Sequence, residues 1–185
     1  MPQMLAHLGD AGAFFAALCK AHPIGLRGWV PSADLRQANC YFSSSDAAFA
    51  DRYEASRDYA RVVAGSVRLD GGWRIYSSGP GIAVSLVLRH FIGLDCESAV
   101  LVVDPVIPSE LDGLRARLEL CEHEVEVEYR VGANGCGPVS LALNGRALAF
   151  TRRINPYRQG AAVVAMAVLR AGLVSGLNTL EIELA

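Results

Sequence analysis

The chain has 185 residues, 52% of them hydrophobic, and its 17 Lys and Arg against 19 Asp and Glu leave a formal charge of −2. That is enough apolar material for one ordinary domain or two small ones with a real core, and it excludes a disordered chain. The balanced charge offers no basic footprint for a phosphate backbone, so nucleic acid is excluded as a partner class.

In chain order, the opening MPQMLAHLGDAG lacks the basic flank and unbroken apolar core of a secretory signal and reads at once into an amphipathic helix. Asp10 is placed to cap a helix through Ala13, Phe14, Ala17 and Leu18, which Pro23 ends. A second helix is expected from Ser45 or Asp46, with Phe49, Tyr53, Ala60 and Val63 facing inward and Gly65 as its stop. The charges along it (Asp51, Arg52, Glu54, Arg57, Asp58, Arg61) read as a solvated face. A third helix is expected over 80–92, with Pro80 in the first turn and Gly93 as the stop. Its apolar residues Ile82, Val84, Leu86, Val87 and Leu88 lie nearly all round the helix, which predicts deep burial.

Beyond Gly93 the hydrophobic period changes to two. Strands are predicted over 99–103, 114–120, 125–131, 139–143 and 180–184, separated by Pro105, Pro108, Asp112-Gly113, Asn134-Gly135 and Asn144-Gly145. Asn144-Gly145 is a strong tight-hairpin signal. The expected fold is α+β, with a helical part over 1–95 followed by an antiparallel, jelly-roll-like β-sandwich over 96–185 and a seam at 95–98. About three helices cannot surround one that is apolar on every side. The chain therefore reads as the C-terminal part of something larger, or as one that forms a homo-oligomer.

The longest apolar runs, 81–88 and 161–169, stop at Arg89 and Arg170, short of the roughly 20 residues a membrane span requires. No span is expected, and the location is expected to be cytoplasmic. Cys19, Cys40, Cys96, Cys121 and Cys136 are odd in number and form no C-x-x-C pair, so they read as reduced thiols. His7, His22, His90 and His123 have no metal-ligand spacing, and no metal or cofactor is expected.

Two stretches carry candidate chemistry. In GGWRIYSSGPG (71–81), a flexible Ser-Ser-Gly-Pro-Gly loop runs into a helix start. Unpaired N–H groups around Ser78, Gly79 and Gly81, with the Ser77 and Ser78 hydroxyls, fit an anion, and a plain packing turn is the alternative. In 36–56, Arg36, Gln37, Asn39, Ser43, Ser44, Ser45 and Asp46 surround Tyr41 and Phe42, the mixture of fixed polar groups and aromatic faces that sugar pockets use; a polar loop before a capped helix is the alternative. Asp46, Asp51, Glu54, Asp70, Asp104 and Asp112 are available as carboxylates, but none stands in a setting that marks a general acid. Asp104 and Asp112 read as turn-formers.

The ordered series HPIG (22–25), NCYFSSSDA (39–47), GGWRIYSSGPG (71–81), Gly93-Leu94 and DPVIPSELDGL (104–114) resembles the C-terminal region of glycoside hydrolase family 94. These are inverting glycoside phosphorylases, among them cellobiose phosphorylases, 1,2-β-oligoglucan phosphorylases and the phosphorylase-like end of cyclic β-1,2-glucan synthases. The resemblance implies an (α/α)6 barrel followed by a β-sandwich. It also implies phosphorolysis of a β-glucoside, in which inorganic phosphate, as substrate, attacks the anomeric carbon and one Asp protonates the leaving sugar. The product is an α-sugar 1-phosphate, and phosphate replaces the activated water that would need a second carboxylate.

The family's Trp-x-x-Tyr-Thr-Gly-Ser loop corresponds to Trp73, Tyr76, Ser77, Ser78 and Gly79, which implies phosphate binding at Ser77, Ser78 and Gly79. The sugar subsite is implied at Arg36, Gln37, Asn39, Tyr41 and Trp73. His22-Pro23-Ile24-Gly25-Leu26 replaces Asn-Pro-Ile-Asn-His, so the family's phosphate-holding His is missing unless Arg27 substitutes for it, and Asn39-Cys40-Tyr41 replaces an acidic residue before Pro-Tyr. The Ser-Ser-Gly-Pro-Gly form is closer to the oligoglucan-phosphorylase branch. The general-acid Asp lies in upstream barrel helices, so an upstream segment or a partner chain is expected to supply it. A non-catalytic carbohydrate-binding module, using an exposed aromatic among Tyr129, Phe150 and Tyr157, is the alternative, together with a subunit-interaction domain.

Overall fold

The computed structural model describes residues 1–21, 47–68 and 78–185. They group into two compact units, Met1–Leu18 with Ser85–Ala185, and Cys19–Val84. The expected seam at 95–98 falls within the first of these.

In the first unit, α1 (Pro2–Leu8) starts on Pro2, where a missing N–H costs nothing. It closes in a Schellman arrangement: Gly9, at φ 81°, donates its N–H to Ala6, and the Asp10 N–H reaches the Leu5 carbonyl. Asp10 caps α2 (Ala11–Ala21) as its sequence suggests, its Oδ1 accepting from Ala13 N–H at 2.9 Å. Phe14 and Leu18 are buried one turn apart on one face.

Nine strands among the described residues build two sheets. The four-stranded sheet runs β1 (Leu94–Cys96), β2 (Val100–Val103), β8 (Ala162–Ala165), β7 (Thr151–Arg152). The five-stranded sheet runs β3 (Arg115–Leu120), β4 (His123–Val131), β9 (Asn178–Leu184), β5 (Pro138–Leu143), β6 (Arg146–Ala147). Period-two alternation sends Val125, Val127 and Tyr129 of β4 and Leu180, Ile182 and Leu184 of β9 inward, where they share one core with Leu101 and Val103 of β2 and Val164 of β8. A second, smaller core joins Ala6, Phe14 and Leu18 to Leu86, Val106 and Cys136.

Each of the five predicted strands forms. The wholly antiparallel expectation is corrected at one place: β4 and β9 pair in parallel, Val125 opposite Asn178 through Val131 opposite Leu184. Parallel neighbours need a crossover rather than a hairpin, and the chain supplies one through β5 to β8 and α6 (Met166–Gly172). Asn144 and Gly145, at φ 52° and 74°, make the predicted hairpin between β5 and β6.

In the second unit, the helix expected from Ser45 or Asp46 begins later, as α3 (Arg52–Asp58), followed by α4 (Ala60–Val63). Asp51 is the cap: its Oδ1 accepts from the N–H groups of Tyr53 and Glu54, both at 2.8 Å, and Glu54 Oε2 reaches back to Ala50 N–H at 2.7 Å. This reciprocal Asp-x-x-Glu box starts the helix at Asp51, and the expected caps Ser45 and Asp46 lie outside the described residues. Tyr53, expected inward, is exposed, and the buried position is Val62.

The third predicted helix forms as α5 (Ser78–Ser85), and the chain then widens into a π-helical turn, Leu86–Phe91, before Gly93. Gly93 has φ 71°, and a Cβ there would run into the Pro105 backbone, so the stop is both conformational and steric. Uniform burial is not what this stretch shows: Leu86 is buried, whereas Ile82, Val84 and Leu88 are 57%, 56% and 43% exposed.

Candidate functional site

Arg36, Gln37, Asn39, Tyr41, Trp73 and Ser77 lie outside the described residues. Ser78 and Gly79 open α5. The N–H groups at a helix start have no intrahelical partner, and Pro80 has none to offer, so the donors of this turn are Ser78, Gly79 and Gly81. No acidic side chain occupies the turn to offset the positive end of the dipole. A Cβ on Gly81 would meet none of the described residues within 4 Å, so none of them blocks approach to the backbone there.

Ala48 N–H donates to the Arg68 carbonyl at 2.9 Å. Beside it a cleft of about 560 Å³ is lined by Ala47, Phe49, Asp51, Arg52, Ala55 and Tyr59. Phe49, expected on a helix face, precedes the helix and lines this cleft instead.

In the other unit, Asp104 is more than a turn-former. Its carboxylate takes both terminal nitrogens of Arg158, at 2.7 and 2.9 Å, and the Arg158 side chain is only 7% exposed. Arg158 Nε also donates to the Ala6 carbonyl at 3.1 Å, so the pair clamps α1 onto the sheets. Burial holds His90 below its ordinary range although Asp104 pulls the other way, and burial raises the Cys136 thiol. A neutral imidazole, an un-ionised thiol and a charge pair with its hydrogen bonds in place make a packing site rather than a reactive one. No cluster of three or more His, Cys, Asp or Glu among the described residues could hold a metal. Arg158 went unnoticed in the sequence because no spacing links Asp104 to a residue 54 positions on.

β4, the Asp104-Pro105 turn packed on Gly93, and all of the two-sheet core but Leu184 fall within 93–182, which match the family described as glycoside phosphorylase C-terminal domain. The chain contains a C-terminal glycoside phosphorylase region. Over 162 residues, 88% of its length, it is 40% identical to a 1,2-β-oligoglucan phosphorylase of Listeria innocua serovar 6a. The chain spans 14% of the length of that relative. The matched phosphorylase is of the branch to which the Ser-Ser-Gly-Pro-Gly loop pointed. Among the described residues, no helix of this phosphorylase region is long and apolar enough to cross a membrane.

Proposed function

We propose that the chain is the C-terminal portion of an inverting glycoside phosphorylase that cleaves a β-linked oligoglucan with inorganic phosphate, giving an α-sugar 1-phosphate. Ser77, Ser78 and Gly79 seat the phosphate, and Arg36, Gln37, Asn39, Tyr41 and Trp73 contact the sugar. The observation that carries the reading is the start of α5: the backbone donors of Ser78, Gly79 and Gly81, which have no partner inside the helix, and no acidic residue in the turn. The identity with an oligoglucan phosphorylase supports the substrate class. The two sheets form the β-sandwich that follows the barrel, and the exposed Ile82, Val84 and Leu88 meet barrel helices supplied from upstream. Those helices carry the general acid, so the chain alone is expected to bind but not to turn over. Phosphate acts as substrate, with no other cofactor, in the cytoplasm.

Calorimetric titration of the chain with inorganic phosphate tests this. Binding is expected to weaken about tenfold in Ser78→Ala, the loss of one hydrogen bond to a charged group. Unchanged affinity in the Ser77→Ala, Ser78→Ala double variant would remove the phosphate assignment.

A further inference from the structure

Three aromatic side chains follow the seam, and the structure separates them. Tyr129 is fully buried, Phe150 is half-buried with the Arg152 guanidinium 5.3 Å over its ring, and Tyr157 is 63% exposed. Tyr157 stands on the 153–160 loop, which is exposed yet held at many points. Arg153 pairs with both carboxylate oxygens of Glu97, Arg152 donates to the carbonyls of Gly160 and Pro138, and Arg158 is clamped to Asp104. Asn155 bridges inside the loop, accepting from Tyr157 N–H at 2.9 Å and donating to the His7 carbonyl at 3.0 Å. The His7 ring packs edge-on to the Tyr157 ring, with centroids 5.3 Å apart at 75°. Beside the ring lies a cleft of about 310 Å³ lined by Gly9, Asn134, Tyr157 and Gln159 among others.

We propose that this cleft, with the Tyr157 ring as its platform, binds a glucopyranose unit of an oligoglucan chain. The fit is chemical. A pyranose presents an apolar C–H face to an aromatic ring and hydroxyls at its rim to amides, and a rigid tyrosine offers that face at little entropic cost. Asn134 provides the amide: it is exposed, and no partner for its side chain occurs among the described residues. With its amide assigned from its neighbours, Gln159 Oε1 accepts from both Arg152 terminal nitrogens, which fixes the opposite wall. The anchoring is heavier than an exposed loop between two short strands needs, and it preorganises an aromatic surface the core does not use. The choice of oligoglucan rests on the proposed phosphorylase reading; the platform itself does not.

The test is titration of the full chain with a short linear 1,2-β-oligoglucan, followed by amide NMR and calorimetry, with a 1,4-β-oligoglucan in parallel. Weak binding is expected, with a Kd on the order of 1 mM, and with shifts at the Asn134 side-chain amide. Tyr157→Ala should weaken it about tenfold, whereas Tyr157→Phe should keep it within about twofold. Asn134→Ala disturbs no described contact and should weaken binding with an unchanged melting temperature, which separates recognition from folding. Tyr157-dependent binding of the 1,4-β-linked probe alone would support the platform and the oligoglucan class while excluding the 1,2-β linkage. Phosphate affinity insensitive to the Ser77 and Ser78 substitutions would refute the phosphate seat without touching this surface. Equal affinity of the wild type and Tyr157→Ala for both probes, or no binding of either at concentrations well above millimolar, would overturn the proposal.

Discussion

Tyr129 shows how one residue serves packing and polarity together. Its ring fills the core between the sheets, and its hydroxyl donates to the Ile92 carbonyl at 2.6 Å, tying β4 to the turn that ends the helical segment. Removing the hydroxyl leaves that carbonyl without its donor, so Tyr129→Phe should cost about 1–2 kcal/mol in urea denaturation at neutral pH. Burial also drives the phenol well above its ordinary range. A group whose folded pKa is raised stabilises fully below its unfolded pKa, about 10 for tyrosine, and loses that contribution as pH climbs beyond it. Wild-type stability should therefore fall above about pH 10 more steeply than that of Tyr129→Phe; parallel pH profiles for the two proteins would contradict this. The same residue shows where the sequence was readable but misread. Tyr129 was one of three aromatics offered for a sugar platform, yet in HEVEVEYRV it shares a face with Val125 and Val127, which already assigns it to the core.

At the scale of elements, an asparagine pair holds the start of β9. Asn178 is fully buried; its Nδ2 donates to the carbonyls of Val174 and Gly176, both at 3.0 Å, and its Oδ1 accepts from Val174 N–H and Asn144 Nδ2, both at 2.8 Å. Asn144 Nδ2 also reaches the Gly172 carbonyl, and its Oδ1 accepts from Thr179 N–H, so the β5–β6 turn, the end of α6 and β9 meet at two side chains. Asn178→Leu would strand several buried backbone groups at once. It should cost about 2–4 kcal/mol, read as a lower denaturation midpoint with little change in the transition slope; a loss under 1 kcal/mol would mean that water takes over those bonds. Local periodicity made the five longer strands and the Asn144-Gly145 hairpin readable, because period two and a turn demanding positive φ are written in neighbouring residues. The two-residue strands β6 and β7 carry too few positions for a period, and β8 sits in an apolar run that fits helix or strand equally. The parallel β4–β9 pairing is fixed by a connection about fifty residues long. At the candidate site, the helix start of α5 was readable from Ser-Ser-Gly-Pro-Gly; the cap at Asp51 was not picked out from Ser45 and Asp46 because its signal is the Asp-x-x-Glu spacing to Glu54 rather than the residue type alone.

Across the whole molecule, the first unit is assembled from two distant stretches of sequence, Met1–Leu18 and Ser85–Ala185. The family match begins only at residue 93, so the helices that complete the smaller core lie outside the matched region. Phe14 buries its ring against His90, with centroids 6.4 Å apart, and helps cover Val106. Arg158 makes the polar counterpart of that contact, bonding the Ala6 carbonyl and the Asp104 carboxylate at once. The pair is mostly shielded, with side chains 7% and 27% exposed, so its two halves are not interchangeable losses. Arg158→Met retains the apolar stem but leaves Asp104 without its counter-charge and Ala6 without its second donor. It should destabilise the chain by about 3 kcal/mol. Adding Asp104→Asn removes the stranded charge, so the double variant should regain part of that loss, and a double-mutant cycle at neutral pH measures the recovery. Strict additivity of the two substitutions would show that the pair is solvated and that the apolar contacts around Phe14 alone hold α1 in place. A coupling of 1–2 kcal/mol would instead make the clamp part of what sets both the α1 position and the Tyr157 loop, since Arg158 immediately follows Tyr157.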